Sequence, residues 1–181
     1  MKKAIIVIAL LLFVCGSVIA ADKPEIDIPF FPGGESTMEI NLTQDDLLPT
    51  LQAMMQMTAG KLADRIDFND VAAALKDVKR VEYLQLDIAK PTTADAVADF
   101  YTKKMPAGEW TRVFWQKSSA GTAALYVQGQ GEKLYGYRLA AAKVDGKIIK
   151  QVSIVKTEGK IDFVKAASIA TKIMSAKPAK S

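Results

Sequence analysis

The run KLYGYRLAAAKVDGKIIKQVSIVKT, residues 133–157, decides the fold. Two stretches rich in β-branched and aromatic residues, Lys133 to Ala142 and Lys147 to Thr157, flank Asp145-Gly146. An Asp-Gly pair between such runs supplies the two positive-φ positions of a tight hairpin turn. The same grammar repeats upstream. Thr122 to Gln128 is separated from Lys133 by Gly129-Gln130-Gly131, and Trp110 to Gln116 from Thr122 by a turn at Ser118-Ser119-Ala120-Gly121. The four runs read as an antiparallel meander. Val81 to Ile88 adds a strand, because Leu84, Leu86 and Ile88 alternate with Tyr83, Gln85 and Asp87.

Helical periodicity fills the rest. Thr43-Gln44-Asp45-Asp46 places a cap and acidic residues at the start of a helix to about Ala59, with Leu47, Leu51, Met54, Met55 and Thr58 along one face. A short helix follows from Asn69 or Asp70 to Val78, capped by Asp67 or Asn69. Pro91-Thr92-Thr93 ends the strand and caps a third, with Ala94, Val97, Ala98, Tyr101 and Met105 inward, and Asp162 caps a last one to about Ser175. The pattern predicts an α+β fold, a largely antiparallel sheet of about five strands with helices packed on one face.

The N-terminus reads as a targeting segment. Lys2 and Lys3 precede the apolar run Ala4 to Val14, and Val18-Ile19-Ala20 offers a peptidase site after Ala20. This predicts a signal peptide over 1–20 and export to the periplasm or the extracellular space. Ala4 to Ala21 carries no charge over eighteen residues, near the lower limit for spanning a bilayer, so a membrane enters only if the leader is retained. Residues 21–37, with Pro24, Pro29, Pro32 and Gly33-Gly34, read as an extended arm. Its Ile26, Ile28, Phe30 and Phe31 are apolar enough to tuck against the domain or a partner. Residues 38–175 then form one domain, and 176–181 a polar tail.

The 181 residues contain no histidine and one cysteine, Cys15, which leaves with the leader. Histidine-based acid-base catalysis and thiol chemistry are thereby excluded from the mature chain. Val14 before Cys15 is a poor lipidation context. Ser153-Ile154-Val155-Lys156 spells S-x-x-K, but in a strand the two reactive side chains point to opposite faces. Asp95 with Asp99, and Asp64, Asp67 and Asp70, are better explained as a solvated charge row and as helix-start residues. Gly129-Gln130-Gly131-Glu132 joins two strands and is a hairpin turn, not a phosphate loop. Thr43 in the sequon Asn41-Leu42-Thr43 serves as a cap. Met54, Met55 and Met57 carry the one metal idea with chemical logic, thioether ligation of Cu(I), against their ordinary role as core filler.

Charge is uneven. Residues 143–181 carry 9 Lys against 3 acidic residues, whereas 21–142 carry 13 basic against 17 acidic. The lysines are spaced singly, as on a solvated face, and nucleic acid is not an expected partner. Strand alternation puts Trp110, Arg112 and Phe114 on one face and Val113 and Trp115 on the other. A sheet face carrying Trp110, Arg112, Phe114, Tyr126, Tyr135 and Tyr137, with Arg138 nearby, is the candidate binding surface. No cofactor is expected. The expected function is a non-enzymatic binding or accessory module whose partner is an envelope protein or a small apolar ligand. The alternatives are a histidine-free carboxylate enzyme and a methionine-cluster copper protein.

The order of signal peptide, the helix with Asp99-Phe100-Tyr101, the strand start Gly108-Glu109-Trp110, the meander and the closing Gly159-Lys160-Ile161-Asp162-Phe163 resembles a family of small exported bacterial domains, the domain-of-unknown-function group numbered four-two-five-two. The likeness covers roughly residues 38–175. It implies an exported or envelope-associated α+β domain with no catalytic residues to carry over.

Overall fold

The computed structural model describes residues 26–58, 67–118, 121–144, 147–166 and 168. Six strands form one sheet: β1 (Gly34–Thr43), β2 (Asp77–Ile88), β3 (Trp110–Ser118), β4 (Gly121–Gln128), β5 (Lys133–Val144) and β6 (Lys147–Lys160). Their spatial order is β1-β2-β6-β5-β4-β3, and every neighbouring pair is antiparallel. The expected α+β class with an antiparallel sheet holds. The sixth strand is β1, whose Met38, Ile40 and Leu42 pack inward at period two and whose start at Gly34 takes in the end of the expected 21–37 arm.

Among the described residues three helices have full bounds, α1 (Gln44–Thr58), α2 (Phe68–Leu75) and α3 (Ala94–Lys103), and a fourth begins at residue 163. Asp67 caps α2 by accepting the Asn69 N–H at 2.9 Å, and the Thr93 hydroxyl caps α3 by accepting the Ala96 N–H at 3.1 Å. Val78, expected at the end of α2, instead opens the inward row of β2. The last helix starts as its sequence predicts, with Asp162 Oδ1 accepting from Val164 and Lys165 at 3.1 Å each; its predicted continuation, apart from residue 168, lies outside the described residues. Among the described residues no helix is long and apolar enough to cross a membrane, and the predicted leader also lies outside them.

Helices cover both faces of the sheet, not one. Adjacent strand residues point to opposite faces, so Tyr83 and Leu84 belong to different cores. Val81, Tyr83, Val155, Leu134 and Leu125 pack with Leu47 and Leu51 of α1 and Val71 and Ala74 of α2. Leu84, Leu86, Ile88, Ile154, Tyr135 and Tyr137 pack with Val97, Ala98 and Tyr101 of α3 and with Ile28 and Phe31 of the arm. Each fully buried Leu contributes about 1.5–3 kcal/mol. The meander pairs in the register its turns require, and Val144 opposite Lys147 leaves the expected two residues, 145 and 146, between β5 and β6.

Where β2 bends, Gly159 has φ +92° opposite a register break between Val78 and Arg80. A Cβ there would lie 2.3 Å from the Asp77 carbonyl oxygen, so both the bulge and the close approach require glycine.

Candidate functional site

The pairing register strings one row of polar-ended side chains across all six strands: Asn41, Glu82, Lys156, Tyr135, Tyr126 and Arg112. Its centre is buried. Glu82 is 1% exposed and sits between two cations, Arg80 Nη2 at 2.8 Å from Oε1 and Lys156 Nζ at 3.5 Å from Oε2. The Arg80 contact is close but off the hydrogen-bond direction, so its attraction is Coulombic; the Arg80 Nε–H donates instead to Asn41 Oδ1 at 2.9 Å. The arm closes over this group. The Asp27 N–H donates to Glu82 Oε2 at 3.3 Å, and Lys156 Nζ donates to Asp27 Oδ2 at 3.0 Å. Ser153, the other half of S-x-x-K, lies in the row opposite Arg138 and Gln85, on the other face from Lys156.

Beside the ion cluster lie the phenols. Tyr101 stacks on Tyr137 at 5.7 Å between ring centroids, Tyr126 lies 6.4 Å from Tyr137, and Trp110 meets Tyr135 edge-on at 6.3 Å. Burial drives the ionisation of Tyr101, Tyr135 and Tyr137 upward, and repulsion between neighbouring phenolates adds to it. Tyr137 is pushed up to about 12, against a lowering contribution from Thr102. These phenols are held neutral inside a core.

The predicted aromatic surface therefore divides. Tyr135, Tyr137 and Tyr126 are buried, Trp110 is half-buried with its indole N–H donating to the Pro106 carbonyl at 2.8 Å, and Arg112 is exposed. Phe114 lies on the opposite face, in the core beneath α1 and α2. The reason is a bulge: the β3 to β4 register breaks between Arg112 and Phe114, which reverses the alternation beyond Val113. Trp115 is thereby carried to the face of Arg112, whose guanidinium carbon lies 5.2 Å from its ring centre, and it remains 39% exposed. Met54, Met55 and Met57 sit on α1, but their side chains lie outside the described residues, as does Asp64. Asp95 pairs with Lys117, and Asp67 is a cap.

A second feature was not assembled from the sequence. β4 pairs with β5 only as far as Thr122 opposite Leu139, whereas β5 and β6 continue together to Val144 opposite Lys147. The end of the short β3–β4 hairpin therefore abuts the side of β5 and leaves a notch. It is an open cavity of about 170 Å³, lined by Gln116, Ser118, Gly121, Thr122, Ala123, Arg138, Leu139 and Ala140. Gly121 permits the approach, since a Cβ there would stand 2.0 Å from the Leu139 carbonyl oxygen. The Thr122 hydroxyl donates to the Gln116 carbonyl at 3.2 Å and ties the hairpin end together. Arg138 belongs to the row Gln85, Ser153, Arg138, Ala123, Gln116, a polar extension of the α1 and α2 face beyond its core. Only the register brings these residues into one line; in sequence they are scattered polar positions in strands.

The chain matches no family model, no curated protein and no solved structure.

Proposed function

We propose that this chain is an exported, non-enzymatic binding or accessory module of the cell envelope, as the likeness to the four-two-five-two group implies, and that it binds through the corner where β3 and β4 meet β5. The observation that carries this reading is the lining of the corner cavity. It holds one guanidinium, an amide, hydroxyls and small residues, a set that orients a ligand by hydrogen bonds but contains no carboxylate to act as base or nucleophile. The opening is smaller than the roughly 300–1,000 Å³ typical of sites for whole drug-sized ligands, so it suits one end group of a ligand. Its Arg138, Gln116, Ser118 and Thr122 favour a polar end group on that ligand.

The chain expressed in an exporting host, fractionated and purified without denaturation tests both parts. Recovery in the envelope or secreted fraction at the mass of a chain starting at Ala21 supports export. Native mass spectrometry of that material, followed by amide chemical-shift mapping of any retained species, is expected to place it at Gln116, Gly121 and Arg138. Accumulation in the cytoplasm, or shifts centred elsewhere, overturns the reading.

One observation favours a second reading, the histidine-free enzyme. Glu82, Lys156 and Tyr135 are consecutive members of one cross-strand row under the arm, a carboxylate, an ammonium and a phenol in low dielectric. Shifts centred on those three residues would favour it.

A further inference from the structure

We infer that the corner cavity is a receptor for a carboxylate group, with Arg138 as its binding residue; the inference rests on the binding reading above and names its ligand class. Arg138 is exposed, and among the described residues it has no acidic partner. Its cross-strand neighbours are Ser153 and Ala123, with Gln116 beyond. Asp87, the acid of β2 in phase with Gln85 on this face, stands two strands away and accepts from Gln151 Nε2 at 2.9 Å. Arg138 thus lines the cavity with no acid of the described sheet paired to its charge.

The chemistry selects among anions. Guanidinium presents two parallel N–H groups at the spacing of two carboxylate oxygens, and such forked pairs are shorter and stronger than neutral hydrogen bonds. One cation matches one negative charge. A phosphate dianion would enter the notch with a charge left over, because the other polar residues of the lining, Gln116, Ser118 and Thr122, are all neutral. Small residues at Gly121, Ala123 and Ala140 leave room for a short chain behind the carboxylate. The group can come from a small organic acid or from the terminus of a peptide.

Chemical-shift titration of the isotope-labelled protein with sodium acetate, N-acetylalanine, a pentapeptide with a free C-terminus and the same pentapeptide amidated tests this, with inorganic phosphate and chloride at equal ionic strength as controls. The expected result is saturable movement of Gly121, Ala123 and Ala140 with the carboxylates, weakened about tenfold or more in Arg138→Gln, and weakened in Arg138→Lys, which keeps charge but loses the fork. Ala140→Leu, which leaves Arg138 in place but fills the cavity, is also expected to weaken binding. Tighter binding of the free-acid peptide assigns the group to a chain terminus; equal binding of acetate assigns it to a small acid. Equal response to the amidated peptide, to phosphate or to chloride overturns the inference, as does unchanged affinity in Arg138→Gln. A natively retained species that maps to the corner yet binds Arg138→Gln unchanged would remove the carboxylate assignment and leave the binding reading standing.

Discussion

Lys156 and Asp27, 129 positions apart in the chain, meet at 3.0 Å where the arm crosses β6. The contact joins a nearly buried ammonium to a carboxylate that is 86% exposed, so the two partners differ in what their loss costs. Asp27→Asn is expected to change stability by less than about 1 kcal/mol, because water replaces what it removes. Lys156→Met leaves the buried Glu82 with Arg80 as its one paired cation and is expected to cost about 3 kcal/mol, much of it recovered in the double variant Glu82→Met/Lys156→Met. Urea unfolding of the four proteins checks this; equal effects of the two single changes would remove Glu82 from the account.

Phe31 and Phe30 form a second unequal pair. Phe31 is buried against Phe100 at 5.3 Å and Tyr101 at 6.3 Å, whereas Phe30 is 46% exposed. Phe31→Ala is expected to cost about 3 kcal/mol and to loosen the arm, seen as faster proteolysis near residue 30, while Phe30→Ala stays within about 0.5 kcal/mol. Similar melting curves for both would mean that the arm does not seal the face beneath it.

The buried phenols fix the alkaline limit of stability. Their ionisation is raised in the folded state above the ordinary value of 10, so between that value and the folded one the unfolded chain holds fewer protons. Stability is therefore whole below pH 10 and declines above it, by about 1.4 kcal/mol per pH unit for each phenol that stays neutral. Absorbance at the phenolate band should rise together with loss of secondary structure. Tyr137→Phe should make the decline shallower, and a phenolate signal complete before unfolding begins would contradict the burial argument.

Gly159 and Gly33 separate backbone conformation from crowding. Both have positive φ, +92° and +77°, but a Cβ at Gly33 would meet only Lys90 Cδ at 3.7 Å. Gly33→Ala is expected to cost about 1 kcal/mol, the conformational part. Gly159→Ala must in addition part β2 from β6 at the bulge and is expected to cost about 3 kcal/mol or more, measured by thermal unfolding.

The meander was legible because its turns are chemical: Asp145-Gly146 and Gly129-Gln130-Gly131 announce reversals whatever the surroundings, and Thr93 and Asp162 announce helix starts equally locally. The face of Phe114 was not legible. A bulge at Val113 costs one residue of phase, and nothing in Trp-Thr-Arg-Val-Phe-Trp marks which residue is extra. Helices on both faces escaped for a related reason. β2 carries apolar residues on its two sides, Tyr83 as well as Leu84, so its alternation of Leu84, Leu86 and Ile88 marks one buried face and hides the other. The charged row and the corner cavity both depend on register between strands distant in sequence, which single-strand periodicity does not contain.

β6, the last strand in the chain, lies inside the sheet between β2 and β5. Until residues 147–160 are in place, the β1–β2 pair and the β3–β4–β5 meander are two separate half-sheets, each with an open edge and neither with its complete core. The domain is thus assembled by closure from its C-terminal side, a slow, non-local step. The strand that comes latest among the described ones is thus the keystone: its two edges commit both half-sheets to a single shape at once.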